Sequence, residues 1–209
     1  MNDITIKEFV DELSSDKPLG GGPACALVAA LGSALGSMVA NLTIGKKKYA
    51  QYNDELTKLL SESNDLSALL LQGIEEDQKA FLPLRDAYKL SKDDPQRDVT
   101  IQQALKHAAL SPYNLLVDTT KVIDLLERFA KIGSVLVISD AATGAMLAHG
   151  ALYGEAINIK VNTVKITDTK FKENLDSKTD ELLATYSKKA LDIFDSVQER
   201  ITNGWNIKR

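Results

Sequence analysis

The sequence predicts an all-α fold organised as a single domain. Apolar residues recur every three or four positions over most of the 209 residues, which is the period of an amphipathic helix. Two segments rich in alanine and glycine resemble each other, and small residues of this kind let two helices pack closely. No repeat and no linker divides the chain, so we expect one domain over residues 1–209.

The first strongly predicted helix follows three consecutive glycines and begins at Pro23. Proline suits the first helical position because its missing N–H would have been unpaired there. We expect the helix to end at Gly45, a typical C-terminal cap, with three lysines complementing the negative end of the helix dipole. These two flanking groups are called here the glycine triplet (Gly20, Gly21 and Gly22) and the lysine cluster (Lys46, Lys47 and Lys48). The glycine triplet lacks the spacing of a nucleotide-binding loop, so on spacing alone it is a turn.

This first helix lies in an uncharged run, residues 19–45, that is long enough to span a membrane. Its bulky apolar side chains cover about a third of the circumference, and Ser33, Ser37 and Asn41 form a polar line at i, i+4 and i+8. Gly32 and Gly36 also fit the pattern of membrane-helix dimers. Because the polar line is more easily satisfied inside a water-soluble bundle, the sequence favours that alternative.

Three further regions have helical periodicity. A long helix is expected over residues 53–90, with a kink at Pro83, and residues 92–98 form a loop by composition. Beyond the loop, the pattern predicts a short helix over residues 101–110, a new helix that starts at Pro112 and ends near Gly133, and a C-terminal helix over residues 169–202.

The second small-residue segment, residues 139–158, is expected to be a helix with Asp140 capping its start. Two neighbouring stretches, VLVIS before it and INIKVNTVKI at its end, alternate in the manner of β-strands. An α/β fold therefore stays open as the minor alternative.

Composition and charge limit the class of partner. A net charge of −4 gives no global attraction to nucleic acid or to an acidic membrane, so an anionic ligand would have to meet the lysine cluster. Cys25 is the only cysteine, which excludes a disulfide framework and a thiolate zinc site. The acidic N-terminal segment, residues 1–13, is unlike a signal peptide, and we expect a protein of the reducing cytoplasm.

One carboxylate stands out from the helical pattern. Asp77 occupies a position of the residue 53–90 helix that the spacing reserves for apolar side chains, where an unpaired carboxylate is costly. It could equally cap a neighbouring backbone group or meet a lysine. Asp140 needs no explanation beyond its helix start, and His149, among alanines, is typical of a packed, hydrogen-bonded histidine. With His107 as the only other imidazole, we expect no metal site.

The sequence also resembles a known family. The run GGGPACALVAALGSALGSMVANLTIGKKKY, the motif EEDQKAF, the start of the Pro112 helix, the motif ISDAATGAMLAHGAL and the motif NIKVN are similar to the cyclodeaminase/cyclohydrolase family of tetrahydrofolate enzymes. The likeness spans most of the chain. Two positions depart from the family pattern: Pro23 replaces a serine after the glycine triplet, and Ser134 replaces an asparagine after Gly133.

The resemblance implies a bundle of long antiparallel helices that forms a homodimer and binds folate in a cleft near the dimer interface. It implies that the glycine triplet leaves room for a flat pteridine, and that the lysine cluster attracts the anionic glutamate tail. Asn41 and Ser139 complete the expected ligand-binding residues. It further implies that Asp77 transfers protons, with Asp140 as the rival carboxylate that would orient or stabilise a cation.

The implied reaction takes place at the one-carbon unit that bridges two folate nitrogens, without a metal or redox cofactor. A cyclodeaminase converts 5-formiminotetrahydrofolate to 5,10-methenyltetrahydrofolate and releases ammonia. The alternative, a cyclohydrolase, opens 5,10-methenyltetrahydrofolate to 10-formyltetrahydrofolate. A folate-binding helical protein without turnover is the further alternative, which the departures at Pro23 and Ser134 keep open.

Overall fold

The computed structural model describes residues 4–16 and 19–206, so residues 1–3, 17–18 and 207–209 of the predicted domain lie outside the described residues. The all-α prediction is confirmed, and no strand occurs in these two ranges. A short 3₁₀ helix, Lys47–Tyr52, follows α2. The α-helices are α1 (Ile6–Leu13), α2 (Gly21–Asn41), α3 (Asn53–Tyr88), α4 (Arg97–Ile132), α5 (Ile138–Thr163) and α6 (Thr169–Asn206).

The helices α2 to α6 form an up-and-down bundle of antiparallel neighbours. The start of α3 meets the end of α4 through the Glu55–Arg128 ion pair, and Lys160 near the end of α5 pairs with Asp176 near the start of α6 at 2.7 Å. The α2 helix packs on α3, α4 and α5, while α6 packs on α5 and α4. This arrangement brings the C-terminal part of α3, the middle of α4 and the end of α5 together around the start of α2.

The two small-residue helices, α2 and α5, pack backbone against backbone. An added Cβ at Gly32 would lie 2.9 Å from the carbonyl oxygen of Gly144, so the close approach requires glycine at this crossing. On the other side of α2, buried Ser33 and Ser37 bond to Ser63 of α3 at 2.9 and 3.0 Å. The predicted polar line is therefore satisfied inside the bundle, except at Asn41, which is exposed.

The ends of α2 differ from the prediction. The helix begins at Gly21, with Gly20 as its N-cap at φ 77°, so Pro23 is the third helical residue and not the first. The helix ends at Asn41, and Gly45, at φ 80°, lies in the turn that follows. The lysine cluster is consequently not in the last turn of α2, because the chain unwinds four residues earlier than the glycine suggested.

The predicted helix break at Pro112 is wrong, because α4 runs through it from Arg97 to Ile132. A proline inside a helix leaves the carbonyl four residues earlier without its N–H partner. Here that carbonyl belongs to Ala108, and it accepts a hydrogen bond from Asn162 Nδ2 of α5 at 3.2 Å. A side chain fifty residues later therefore replaces the lost helical bond.

The strand alternatives are also wrong. The stretch Asn158 to Asn162 continues α5, where Ile159 and Thr163 are buried four residues apart, so helical burial overrides the β-propensity of the branched residues. Of the VLVIS stretch, Val137 donates its N–H to the Ser134 carbonyl in a turn, and Ile138 starts α5.

By length and composition α2 could cross a membrane, although 56% of its most apolar window is buried within the bundle. Two bulky side chains of α2 and one at its C-cap nevertheless face outward: Leu31, Met38 and the C-cap residue Leu42 are 47%, 45% and 41% exposed. The stripe of Leu31, Met38 and Leu42 is called the α2 outer face below.

Candidate functional site

A cleft of about 280 Å³ opens where α2 begins. The glycine triplet and Leu19 form one wall, and α3, α4 and α5 form the others. Its volume is just below the range for ligand pockets, roughly 300–1,000 Å³, so it suits a bicyclic ring more than a whole folate. The lining side chains from the other three helices are Asp77, Gln78, Phe81, Ala108, Pro112, Asn158, Val161 and Asn162.

Two glycines of the triplet are needed because other helices come very close to them. An ideal Cβ on Gly22 would fall 2.1 Å from Oδ2 of Asp77, and one on Gly21 would fall 3.0 Å from Nδ2 of Asn158. The side chains of α3 and α5 thus reach the backbone of α2 directly. The prediction that the glycine triplet and Asp77 share one site agrees with this geometry.

Asp77 is half-buried at the cleft wall. Burial raises the pKa of its carboxyl above the ordinary aspartate value, and a hydrogen bond from Ser111 offsets part of this effect. No basic side chain contributes to that shift. A carboxyl with elevated proton affinity beside a concave surface is a candidate for proton transfer.

Two asparagines of α5 line the cleft, and neither is among the predicted ligand-binding residues. Asn162 is fixed by its bonds to the carbonyls of Ala108 and Asn158, at 3.2 and 3.0 Å. Asn158 faces Gly21. Their i, i+4 spacing in the NIKVN motif, which places both amides on one face of the helix, is the sequence signal that could have identified them.

A second layer of polar groups lies one helical turn below the cleft. Glu155 of α5 is completely buried, and its Oε1 accepts a hydrogen bond from Thr119 of α4 at 2.8 Å. Burial holds the pKa of Glu155 well above the ordinary glutamate value. Burial and the charges of Glu155 and Asp77 raise the pKa of the Cys25 thiol to about 12, so the thiol stays neutral at physiological pH.

The other predicted residues lie at the opposite end of the bundle. Lys46 Nζ is 3.4 Å from Oγ of buried Ser134, and exposed Ser139 and half-buried Asp140 are the second and third residues of α5. Asn41 ends α2. Since α2 has 21 residues and rises about 1.5 Å per residue, these groups are about 30 Å from the cleft within one chain.

Asp140 therefore does not have the predicted N-cap geometry. The N-cap of α5 is Val137, which makes no side-chain capping bond, and Asp140 lies in the first turn. A carboxylate there still complements the positive end of the helix dipole. It does not share a site with Asp77 of the same chain.

A larger surface groove of about 580 Å³ lies between α3 and α4. It contains none of the predicted site residues, and two of its charged groups are ion-paired: Arg128 with Glu55, and Asp124 with Lys189. The smaller cleft is the better candidate because it places a carboxyl of raised pKa, Asp77, beside the backbone of the glycine triplet.

Within residues 4–16 and 19–206, no group of three or more His, Cys, Asp and Glu side chains could hold a metal ion. His149 is hydrogen-bonded to Ser187 Oγ at 2.9 Å and stacks at an angle on Tyr153. The interpretation of His149 as a packed, hydrogen-bonded residue is confirmed.

Comparison with known proteins gives a consistent family. The sequence profile of the formiminotransferase-cyclodeaminase family matches residues 5–181. Methenyltetrahydrofolate cyclohydrolase of Methylorubrum extorquens is 37% identical over 202 residues, which cover 94% of this chain and 97% of that protein. Formimidoyltransferase-cyclodeaminase of Rattus norvegicus is 28% identical over 203 residues, which cover 95% of this chain but 38% of the rat protein.

A solved structure agrees over the full length. The crystal structure of formiminotetrahydrofolate cyclodeaminase from Thermotoga maritima superimposes with a TM-score of 0.83, at 28% sequence identity, over 97% of this chain and 98% of that one. The relatives include full-length matches with either activity in their names. The chain belongs to the cyclodeaminase/cyclohydrolase family of folate one-carbon enzymes.

Proposed function

We propose that the protein is a formiminotetrahydrofolate cyclodeaminase, which converts 5-formiminotetrahydrofolate to 5,10-methenyltetrahydrofolate and ammonia. The observation that carries the proposal is the half-buried Asp77 carboxyl, with its raised pKa, against the backbone of Gly22 in the cleft. A group that titrates closer to working pH than an ordinary aspartate is suited to take up and return a proton.

The reaction needs such a group twice. The aryl amine attacks the carbon of the protonated formimino group, so that the former imine nitrogen becomes an amine, and the attacking nitrogen loses its proton to the Asp77 carboxylate. The protonated Asp77 then returns this proton to the departing amine, which leaves as ammonia while the methenyl double bond forms. Both nitrogens are bonded to the same tetrahedral carbon, so one carboxyl at the cleft wall can reach both.

The second candidate is a methenyltetrahydrofolate cyclohydrolase. The 37% identical relative from Methylorubrum extorquens, matched over nearly its whole length, carries this name. Water would attack the methenyl carbon and give a proton to Asp77. Asp77 would return this proton to the N5 nitrogen as the bond between carbon and N5 breaks, and loss of the hydroxyl proton to solvent would yield 10-formyltetrahydrofolate. Both reactions pass through a tetrahedral carbon and use the same carboxyl, so the geometry of the cleft is compatible with either.

The departures from the family pattern do not touch the cleft. Pro23 is buried in the first turn of α2, and Ser134 is buried at the opposite end of the bundle. Neither departure therefore removes a group from the cleft lining, although Ser134 contacts Lys46 of the lysine cluster at 3.4 Å. We propose that the enzyme needs no metal or redox cofactor and acts in the cytoplasm.

Near-ultraviolet absorbance of the methenyl group separates the candidates. Purified protein is mixed with 5-formiminotetrahydrofolate and, separately, with 5,10-methenyltetrahydrofolate. Growth of the methenyl absorbance with ammonia release supports the cyclodeaminase, and accelerated decay of the added methenyl compound supports the cyclohydrolase. Binding of both folates without either change would contradict both enzymatic proposals.

We further propose that the protein is a homodimer whose site is shared between subunits. The predicted reason, spare Gly and Ala surface on α2 and α5, does not hold, because those faces pack against each other within the chain. The α2 outer face supplies the surface instead. If a second copy packs on it in the antiparallel sense, the two-fold axis brings the partner's lysine cluster toward the cleft.

A shared site also accounts for the distribution of the predicted residues. The cleft is large enough for the pteridine end of a folate but carries no lysine among its lining residues. The lysine cluster and Asn41 lie about 30 Å away in the same chain, by the length of α2. An antiparallel dimer through α2 removes that separation and gives the glutamate tail a cationic partner.

A further inference from the structure

Glu155 is a buried carboxyl that the proposed reaction leaves without a role. Its residue is 0% exposed. Oε1 bonds to Thr119, whereas Oε2 has no hydrogen-bond partner, and it is the only buried side-chain nitrogen or oxygen atom in this condition among the described residues. Buried polar atoms are almost always paired, so an exception of this kind calls for a functional explanation.

The position of Glu155 ties it to the cleft. Glu155, Asn158 and Asn162 follow one another on one face of α5 at i, i+3 and i+7, and the two asparagines line the cleft. Glu155 is thus the next polar group inward from the cleft wall. It lies on the side of α5 that meets Thr119 of α4.

A thiol lies in the same layer, one turn inward from the glycine triplet on α2. The Cys25 sulfur is so near the α5 backbone that a Cβ on Gly154 would be 2.4 Å from it. The carboxyls of Glu155 and Asp77, when ionised, both raise the pKa of this thiol. The two carboxyls therefore face a common, mostly buried region between α2, α3 and α5.

The titratable groups that face Glu155 are acidic or neutral. The ionisable groups that act on Glu155 are Asp118 of α4 and Asp77 of α3, while Cys25 of α2 faces it as a neutral thiol. No group of α6 and no basic side chain in the described ranges is among the causes of its shift. Asp118 is ion-paired with Lys121 at 2.7 Å. Of the two carboxylates that act on Glu155, Asp77 is therefore the one that lines the cleft and has no basic group among the causes of its pKa shift.

Ionisation of both Asp77 and Glu155 is disfavoured, because two neighbouring carboxylates in a poorly solvated region repel each other. Two interacting carboxyls of this type titrate as a unit. The less solvated one keeps the proton. Glu155 is fully buried and Asp77 reaches the cleft, which assigns the proton to Glu155.

We propose that Asp77 and Glu155 form a coupled acid pair that holds one proton at neutral pH, with the proton on Glu155 and the negative charge on Asp77. Glu155 is then a positioning residue that acts through Asp77. When Glu155 loses its proton at higher pH, its negative charge makes Asp77 hold a transferred proton more tightly. Asp77 becomes a poorer proton donor to the leaving group, and turnover falls. Only this last consequence rests on the proposed function.

Infrared difference spectroscopy tests the pair without any substrate. A neutral carboxylic acid has a C=O stretch that an ionised carboxylate lacks, and a pH titration of the whole protein follows it. We expect wild-type protein at neutral pH to have a neutral-acid band that Glu155→Gln removes. Asp77→Asn should keep that band and move its midpoint to lower pH, since the negative neighbour is gone. As a control, Glu127→Gln, at an ion-paired surface carboxylate, should leave band and midpoint unchanged.

Two infrared results would overturn the pair. One is a wild-type spectrum at neutral pH without a band that depends on Glu155, because Glu155 would then be ionised. The other is an unchanged midpoint in Asp77→Asn, because the carboxyls would then be independent. Both results are independent of the folate reaction.

Kinetics test the consequence for turnover. Glu155→Gln keeps the shape and the Thr119 bond without a titratable proton. We expect kcat near neutral pH and KM within about threefold of wild type, and loss of the alkaline decline in kcat. An identical alkaline decline in Glu155→Gln would refute the link to turnover. If wild-type protein turns over neither folate, the proposed function fails while the infrared result still decides the pair.

Discussion

The carboxylate of Asp77 occupies the place where any side chain at position 22 would have to start. An ideal Cβ on Gly22 falls 2.1 Å from Oδ2 and 2.6 Å from Cγ of Asp77, distances that atoms do not adopt. The absence of a side chain at Gly22 therefore leaves the space that the Asp77 carboxylate occupies. The first turn of α2 thus determines where the α3 carboxyl can lie.

Gly22→Ala should displace Asp77 and lower activity more than stability. The colliding atoms belong to the end of a side chain, so the carboxylate can rotate away while the helices stay packed. We expect turnover to fall by about tenfold or more, since a displacement of about 1 Å can cost a hundredfold. Steady-state kinetics and denaturant unfolding measure the two effects.

The matched control is Gly150→Ala on exposed α5 surface, where an added Cβ meets nothing within 4 Å. Alanine should stabilise the helix there by about 0.5–1 kcal/mol and leave turnover unchanged. Equal kinetics for both variants would mean that the position of the Asp77 carboxylate does not matter for the reaction.

Asp77→Asn should lose turnover and gain stability at neutral pH. The nearly isosteric amide cannot exchange the proton, so we expect kcat to fall by about a hundredfold or more while folate binding persists. The folded-state pKa of Asp77 is raised. The folded state therefore binds more protons between the unfolded and folded pKa values, and wild-type stability falls as pH rises through that window.

Unfolding at several pH values checks the sign of this effect. The stability advantage of Asp77→Asn should be present above the folded-state pKa and shrink as the solution is made more acidic than the unfolded-state pKa. The acid-side rise of kcat with pH should disappear with Asp77. Retained activity together with lower stability would make Asp77 structural, and Asp140 would become the leading carboxylate.

The link between Pro112 and Asn162 predicts a non-additive pair. Asn162→Ala leaves the Ala108 carbonyl without its partner, and we expect a loss of about 1–2 kcal/mol of unfolding free energy. Pro112→Ala restores a backbone N–H that can bond to that carbonyl. The loss from Asn162→Ala should therefore be smaller in the Pro112→Ala background. Additive losses in denaturant titrations of all four proteins would refute the link.

The fold class and one half of the candidate site follow from sequence patterns. Helical periodicity predicted the bundle, and Asp77 was identified as a carboxylate in the apolar seam of α3, the helix face whose spacing is reserved for apolar side chains. The seam is only partly buried, because Phe81 and Tyr88 are 41% and 44% exposed. A helical pattern identifies a face, but which part of that face opens into a cleft depends on where the neighbouring helices end.

The remaining features depend on contacts between distant residues. Pro112 predicts a helix end by every local rule, and the bond from Asn162 cancels it. The lysine cluster and the glycine triplet flank one helix in sequence, yet the length of α2 separates them in space. The sequence gives one weak indication of Glu155, which is the only acidic residue after Asp140 in an Ala- and Gly-rich helix. Its burial cannot be predicted from this pattern, because it depends on the packing of α4.

The lysine cluster should act on the charge of the folate tail. Replacing Lys46, Lys47 and Lys48 with glutamine should weaken binding of a polyglutamylated folate more than that of a monoglutamylated one. Added salt should reduce the difference, because exposed charges are screened over about 10 Å at 0.1 M ionic strength. Equal losses for both folates in titration calorimetry would limit the cluster to a structural role.

The shared site predicts complementation between two defective chains. One chain carries Asp77→Asn, and the other carries glutamine at all three positions of the lysine cluster. In a heterodimer with a shared site, one of the two sites combines wild-type Asp77 with the partner's wild-type lysines. A one-to-one mixture that exchanges subunits freely should therefore regain about a quarter of wild-type activity, measured with polyglutamylated substrate below KM. A site contained within one chain has a defect in every copy and would recover nothing.

Met38→Glu on the α2 outer face should give a monomer in sedimentation and abolish the complementation, since a charge there cannot be buried against the same face of a second copy. Full activity of that monomer would refute both the dimer and the shared site.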